Sequence, residues 1–122
     1  LVTGGARRIG RAIVEDLASN GFAVAIHCNG SRGEADALAA RLHDQGGASM
    51  VFAADLTDRQ AVSGLMAQVA DAFGPVSLLV NNASIFDDDE ARDFDWASWD
   101  RHFAVHLEAP TMLARKLAEG LP

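Results

Sequence analysis

Thr3-Gly4-Gly5-Ala6-Arg7-Arg8-Ile9-Gly10 is the stretch on which the fold depends. It follows a short apolar stub, Leu1-Val2, and opens a segment of helical period over about 9–20. A glycine-rich turn between a strand and a helix leaves backbone N–H groups unpaired at the positive end of the helix dipole, a place suited to a pyrophosphate. Glycine lets the backbone approach such a group closely. Gly21 provides the expected C-terminal cap of that helix.

Outward from this turn the pattern alternates between short apolar runs and longer helical segments. The second strand is expected over 22–27. A helix over about 31–45 should follow, with Ser31 as N-cap, Glu34 as its capping-box partner and Gly46-Gly47 as its end. Then come a third strand over 49–54, a third helix over about 58–73 and a turn at Gly74-Pro75. A fourth strand is expected over 76–81, an acidic loop over 82–95, and a long helix over about 96–119 ended by Gly120 and Pro122. This alternation predicts one α/β domain: a Rossmann-like, doubly wound parallel sheet of strand order 3-2-1-4, with its ligand at the carboxyl ends of the strands.

Composition narrows the function. A formal charge of −7 offers no basic face for nucleic acid or anionic membranes, and no apolar run approaches the roughly 18 residues of a membrane span. Cys28 is the one cysteine, so an intrachain disulfide is impossible; a reducing, cytoplasmic setting is expected. No metal site is expected, because Asp87, Asp88, Asp89 and Glu90 lack the alternating ligands and glycine of a calcium loop. Trp96, Trp99 and Phe103 share one helix face, which predicts core packing. His43 and His102 read as ordinary helix residues.

The glycine stretch resembles the T-G-x-x-x-G-x-G motif of the short-chain dehydrogenase/reductase family. Arg8 stands where the family has its middle glycine, as in the T-G-x-x-x-R-x-G motif of pteridine and dihydromonapterin reductases. Asp55-Leu56 resembles the family's adenine-contacting pair, and Asn81-Asn82-Ala83-Ser84 its N-N-A-G motif. The resemblance implies cofactor binding by Thr3, Gly4, Arg7, Arg8, Ile9, Gly10, Asp55, Leu56, Asn82, Ala83 and Ser84. Two plainer readings stay open: that Asp55 only caps the third helix, and that Asn81 and Asn82 only form a turn.

The kind of cofactor follows from the end of the second strand, about 20 residues past the glycine turn, where an NAD enzyme carries an acid for the ribose hydroxyls. Here the chain reads His27-Cys28-Asn29-Gly30-Ser31-Arg32, without a carboxylate. His27, Asn29, Ser31 and Arg32 are therefore assigned to the cofactor, and Ser31 and Arg32 favour a 2′-phosphate at a helix N-terminus, hence NADP(H). Arg32 read as a plain surface charge is the alternative, since the resembling reductases place their arginine where Gly30 stands. Arg8, Ser84 and Phe86 are assigned to a small-molecule substrate, with Phe86 stacking on a pterin; an apolar anchor for the loop is the other reading of Phe86. His106, in Val105-His106-Leu107, occupies the position of a structural and catalytic Asn in the family. It is either a proton relay or a buried, hydrogen-bonded helix histidine.

The family's proton-transferring Tyr, its Lys and the Ser of a fifth strand have no counterparts here; the chain contains no Tyr. The resemblance thus covers the first half of a family domain, and residues 1–122 are expected to be a partial NADP-binding domain, inert alone and ending before strand five. It implies that the whole protein is an NADPH-dependent, pteridine-reductase-like enzyme, a homodimer or homotetramer. A general ketone or 3-oxoacyl reductase and a non-catalytic NADP sensor are the alternatives.

Overall fold

A computed structural model describes residues 1–121. In chain order it contains α1 (Arg8–Ser19), β1 (Val24–Cys28), α2 (Arg32–Asp44), β2 (Ser49–Ala53), α3 (Arg59–Phe73), α4 (Trp96–Phe103), a π turn (Ala104–Glu108) and α5 (Ala109–Gly120). β1 and β2 pair in parallel, from Val24 opposite Ser49 to Cys28 opposite Ala53. Val2 forms parallel bridges to Ile26 on one side and Val80 on the other. The order across the sheet is β2, β1, the segment at Val2, then the segment at Val80. The β1–β2 ladder shows part of the expected 3-2-1-4 order, and the single bridges at Val2 agree with the rest.

The expected fourth strand over 76–81 is reduced to a single bridge at Val80. Residues 76–81 meet only the brief segment at Leu1–Thr3, through Thr3 N–H to the Val80 carbonyl (3.0 Å) and Val80 N–H to the Leu1 carbonyl (2.8 Å). The second strand starts later than expected because Phe22 closes α1 instead. Its N–H donates to the Leu17 carbonyl and that of Gly21 to Ala18, both at 3.1 Å, the paired bonds of a Schellman cap. Gly21 takes φ +86°, which glycine tolerates at no steric cost.

All five residues of β1 are buried, as a central parallel strand requires. Alternate side chains serve two cores. Val24, Ile26 and Cys28 pack with Val14, Leu38 and Leu42 of α1 and α2. Ala25 faces Leu65, Val69, Val105 and Leu113, from α3, the π turn and α5. Burying residues such as Ile26, Leu65 and Leu113 favours folding by about 1.5–3 kcal/mol each.

Three sequence expectations are corrected at the helices. Ser31 stands at the N-cap of α2 but its hydroxyl makes no capping bond. Glu34 does not complete a capping box; its carboxylate lies 4.0 Å from the Arg7 guanidinium. The aromatic face of α4 is not core either: Trp96, Trp99 and Phe103 are 68%, 45% and 47% exposed. They pack with one another and with Phe94 through ring contacts of 4.6–6.0 Å. The core side of this helical run carries Ser98, Val105, Ala109 and Leu113. The expected single helix opens into a π turn at 104–108, where Pro110 lacks an N–H and its ring collides with the carbonyl four residues back, at His106. α5 ends at Gly120; Pro122 lies outside the described residues. No described helix is long and apolar enough to cross a membrane.

Candidate functional site

The carboxyl ends of the four sheet segments converge on an open cleft of about 670 Å³. Its floor is the glycine turn, whose shape excludes side chains at two points. Gly4 has φ +62°, and a Cβ there would sit 2.9 Å from the Ala83 Cα; at Gly10 a Cβ would lie 2.0 Å from the Gly4 carbonyl oxygen. Arg8 also occupies the left-handed region, at φ +52°. The position suits glycine, so an arginine here costs strain of roughly 1–2 kcal/mol. The N-terminus of α1 opens directly beyond it, giving the backbone and dipole arrangement that suits a diphosphate.

Three polar residues brace this turn from behind. The buried Thr3 hydroxyl accepts from the N–H groups of Asn82 and Ala83, both at 3.0 Å. The Asn82 side-chain amide donates back to the carbonyls of Thr3 (3.0 Å) and Gly4 (3.1 Å). His27 is the third brace. Its Nδ1 accepts from Gly4 N–H at 3.1 Å, while Nε2 lies 2.9 Å from the Ala54 carbonyl and so carries the donated hydrogen. Only 2% of His27 is exposed, so it shapes the turn from beneath. Burial pushes its pKa below the ordinary imidazole value, partly offset by the Ala54 bond.

One wall carries Asp55, whose carboxylate accepts from Thr57 N–H (2.9 Å) and Thr57 hydroxyl (2.7 Å). Those bonds hold its pKa below the usual carboxylate value. Asp55 does not cap α3; Asp58 does, accepting from Gln60 and Ala61 N–H. Leu56, beside it, is buried at the cleft edge and joins the core. The next wall brings Asn29 and Ser31 to the cleft, and Arg7, whose guanidinium reaches to 4.0 Å from Glu34 in the first turn of α2, lines it on that side. Arg32 lies outside the lining and pairs with Asp36 at 2.9 Å.

The remaining wall is apolar and open. Ile9 and Phe86, 71% and 84% exposed, line it together with Arg8, Ala83 and Ser84. Ile85 N–H donates to His106 Nε2 at 3.1 Å, and Asp87 N–H to His102 Nε2 at 3.2 Å. His106 is therefore hydrogen-bonded, but it is exposed rather than buried and stands outside the cleft lining. His102, like His106, stands outside the cleft lining, beside Arg101 and Asp87, which line it. The available signal was their spacing: His102 and His106 are four apart, on one helix face. Among the described residues no three His, Cys, Asp or Glu side chains converge on a potential metal position.

Residues 1–121 match the short chain dehydrogenase family, and the chain belongs to that family. Among solved structures it is similar to FolM alternative dihydrofolate reductase 1 from Brucella suis in complex with NADP, at 57% identity and TM-score 0.93, covering 98% of this chain and 50% of that one. It is also similar to a blue fluorescent protein from a metagenomic library in complex with NADPH, at 32% identity and TM-score 0.94, over 99% of this chain and 50% of that one. A curated relative, the 3-oxoacyl-[acyl-carrier-protein] reductase FabG of Staphylococcus aureus, is 35% identical over 108 residues, covering 88% of this chain and 44% of the relative. The chain spans about half the length of the curated relatives it matches.

Proposed function

We propose that the cleft binds NADP(H) and that the full-length protein reduces a flat, pterin-like substrate. The observation that carries the cofactor assignment is the glycine floor, where the absence of side chains at Gly4 and Gly10 opens the backbone at the start of α1 to a diphosphate. The residues present fit the rest of the group. Asp55 and Leu56 line the cleft and suit an adenine contact, and Asn29, Gly30 and Ser31 line it without an acid that would repel a 2′-phosphate. Arg7 supplies positive charge on the same side. When bound, the cofactor supplies the hydride.

The substrate assignment rests on the apolar wall. Phe86 offers an exposed ring for stacking, and Arg8 and Ser84, which line the same cleft, a guanidinium and a hydroxyl. The 57% identity to a protein described as an alternative dihydrofolate reductase supports the same reading. The family's proton-donating Tyr is not among these 122 residues, so proton transfer is assigned to none of them. The unpaired, buried Cys28 fits a reducing, cytoplasmic setting. A second reading, 3-oxoacyl reduction, draws on the 35% identity to FabG.

Steady-state turnover by the full-length protein, with NADPH and either dihydrofolate or ethyl acetoacetate, separates the two. Activity on dihydrofolate, with Phe86→Ala raising its KM and leaving NADPH affinity unchanged, is the expected result. Activity on ethyl acetoacetate alone would favour the second reading.

A further inference from the structure

Phe86 is 84% exposed, so packing among the described residues does little to fix its ring. Its position is therefore set through the backbone on either side, and both neighbours are tied to one helical run. Ile85 N–H meets His106 Nε2 and Asp87 N–H meets His102 Nε2. The spacings are commensurate: alternate N–H groups of an extended chain recur about every 6.7 Å, and the His102 and His106 ring centroids are 5.6 Å apart.

The tether at His102 is the more elaborate of the two. His102 Nδ1 lies 2.7 Å from the carbonyl of the buried Ser98, which makes Nδ1 the donor and leaves Nε2 as an acceptor aimed at Asp87. Arg101, next along the helix, donates to the Asp87 carboxylate through Nη2 at 2.9 Å and Nε at 3.2 Å. Asp87 is thus held by its backbone and by its side chain from adjacent helix positions.

We propose that His102 is a positioning residue for substrate binding: held in one tautomer by Ser98, it fixes the Asp87 N–H and so sets the Phe86 ring at the mouth of the cleft. The inference rests on the assignment of Phe86 to the substrate, but its first readout does not. In the full-length protein the Asp87 amide should exchange with solvent more slowly than those of Asp88 and Asp89. His102→Phe keeps a ring and removes the acceptor; it should accelerate Asp87 exchange about tenfold and raise the KM for dihydrofolate about three- to tenfold. The Kd for NADPH should change less than about twofold, since the cofactor walls lie elsewhere. His102→Gln restores an acceptor and should return both quantities to within about threefold of wild type.

Equal protection at Asp87, Asp88 and Asp89 in the wild-type protein would overturn the proposal without any variant. So would a His102→Phe protein with unchanged exchange and KM, a Gln variant that rescues neither, or a parallel loss of NADPH affinity. If the wild-type protein does not turn over dihydrofolate, the pterin assignment fails separately, and the KM comparison is made with ethyl acetoacetate. A rise in KM there sustains the role of His102; no rise ends it.

Discussion

Thr3 and Asn82 interlock across the head of the cleft: the Thr3 hydroxyl accepts the Asn82 N–H, and the Asn82 side chain donates back to the Thr3 carbonyl, each at 3.0 Å. The Thr3 oxygen also accepts from Ala83 N–H. Thr3→Val keeps the shape and leaves two partly buried donors unpaired. It should cost about 1–3 kcal/mol of stability in urea unfolding. NADPH affinity should fall with it, because the same bonds hold the glycine turn against the strand at Val80. A Val variant as stable as wild type would mean that the lock contributes nothing.

Arg8 sits in a backbone conformation that favours glycine. Arg8→Gly should therefore be more stable than Arg8→Ala by about 1 kcal/mol, the reverse of their order at an ordinary helix position. Urea unfolding of the two variants checks this. An alanine variant the more stable of the pair would place Arg8 outside the left-handed region.

His27 gives the fold a pH dependence with a definite sign. Its pKa is lowered by burial in the folded state, against about 6.5 in the unfolded chain. Between those values the unfolded chain holds a proton that the folded one does not, so stability rises with pH there. The contribution is complete above the unfolded value and is lost as pH falls from about 6.5 towards the lower folded value. His27→Gln can accept from Gly4 and donate to Ala54 without titrating, so its Tm should depend less on pH between about 7 and 5 than that of wild type. Identical slopes in thermal unfolding would remove His27 from the account.

Much of this arrangement was legible because it depends on backbone rules. The glycine turn, the buried run in β1 and the right-handed windings fix where the strand ends gather, whatever the side chains do. What escaped were contacts between residues distant in sequence. Ser31 and Glu34 have capping-box spacing, yet the Ser31 hydroxyl makes no capping bond and the Glu34 carboxylate lies 4.0 Å from the Arg7 guanidinium. The aromatic stripe at Trp96, Trp99 and Phe103 has helical period, and period alone does not say which face other elements cover. Pro110 carried a signal of an interrupted helix that the reading of one helix over 96–119 passed over. The role of His102 depends on a backbone N–H 15 residues back, which no local pattern in α4 reveals.

A cleft shaped for a nicotinamide cofactor carrying a 2′-phosphate must prefer NADPH to NADH, and calorimetric titration of the full-length protein with both cofactors measures that preference. NADPH should bind at least about tenfold more tightly, and Arg7→Ala should reduce that preference by weakening NADPH alone, as loss of a charge-assisted phosphate contact of about 1.5–3 kcal/mol requires. Equal affinity for the two cofactors, or equal losses for both in Arg7→Ala, would contradict it.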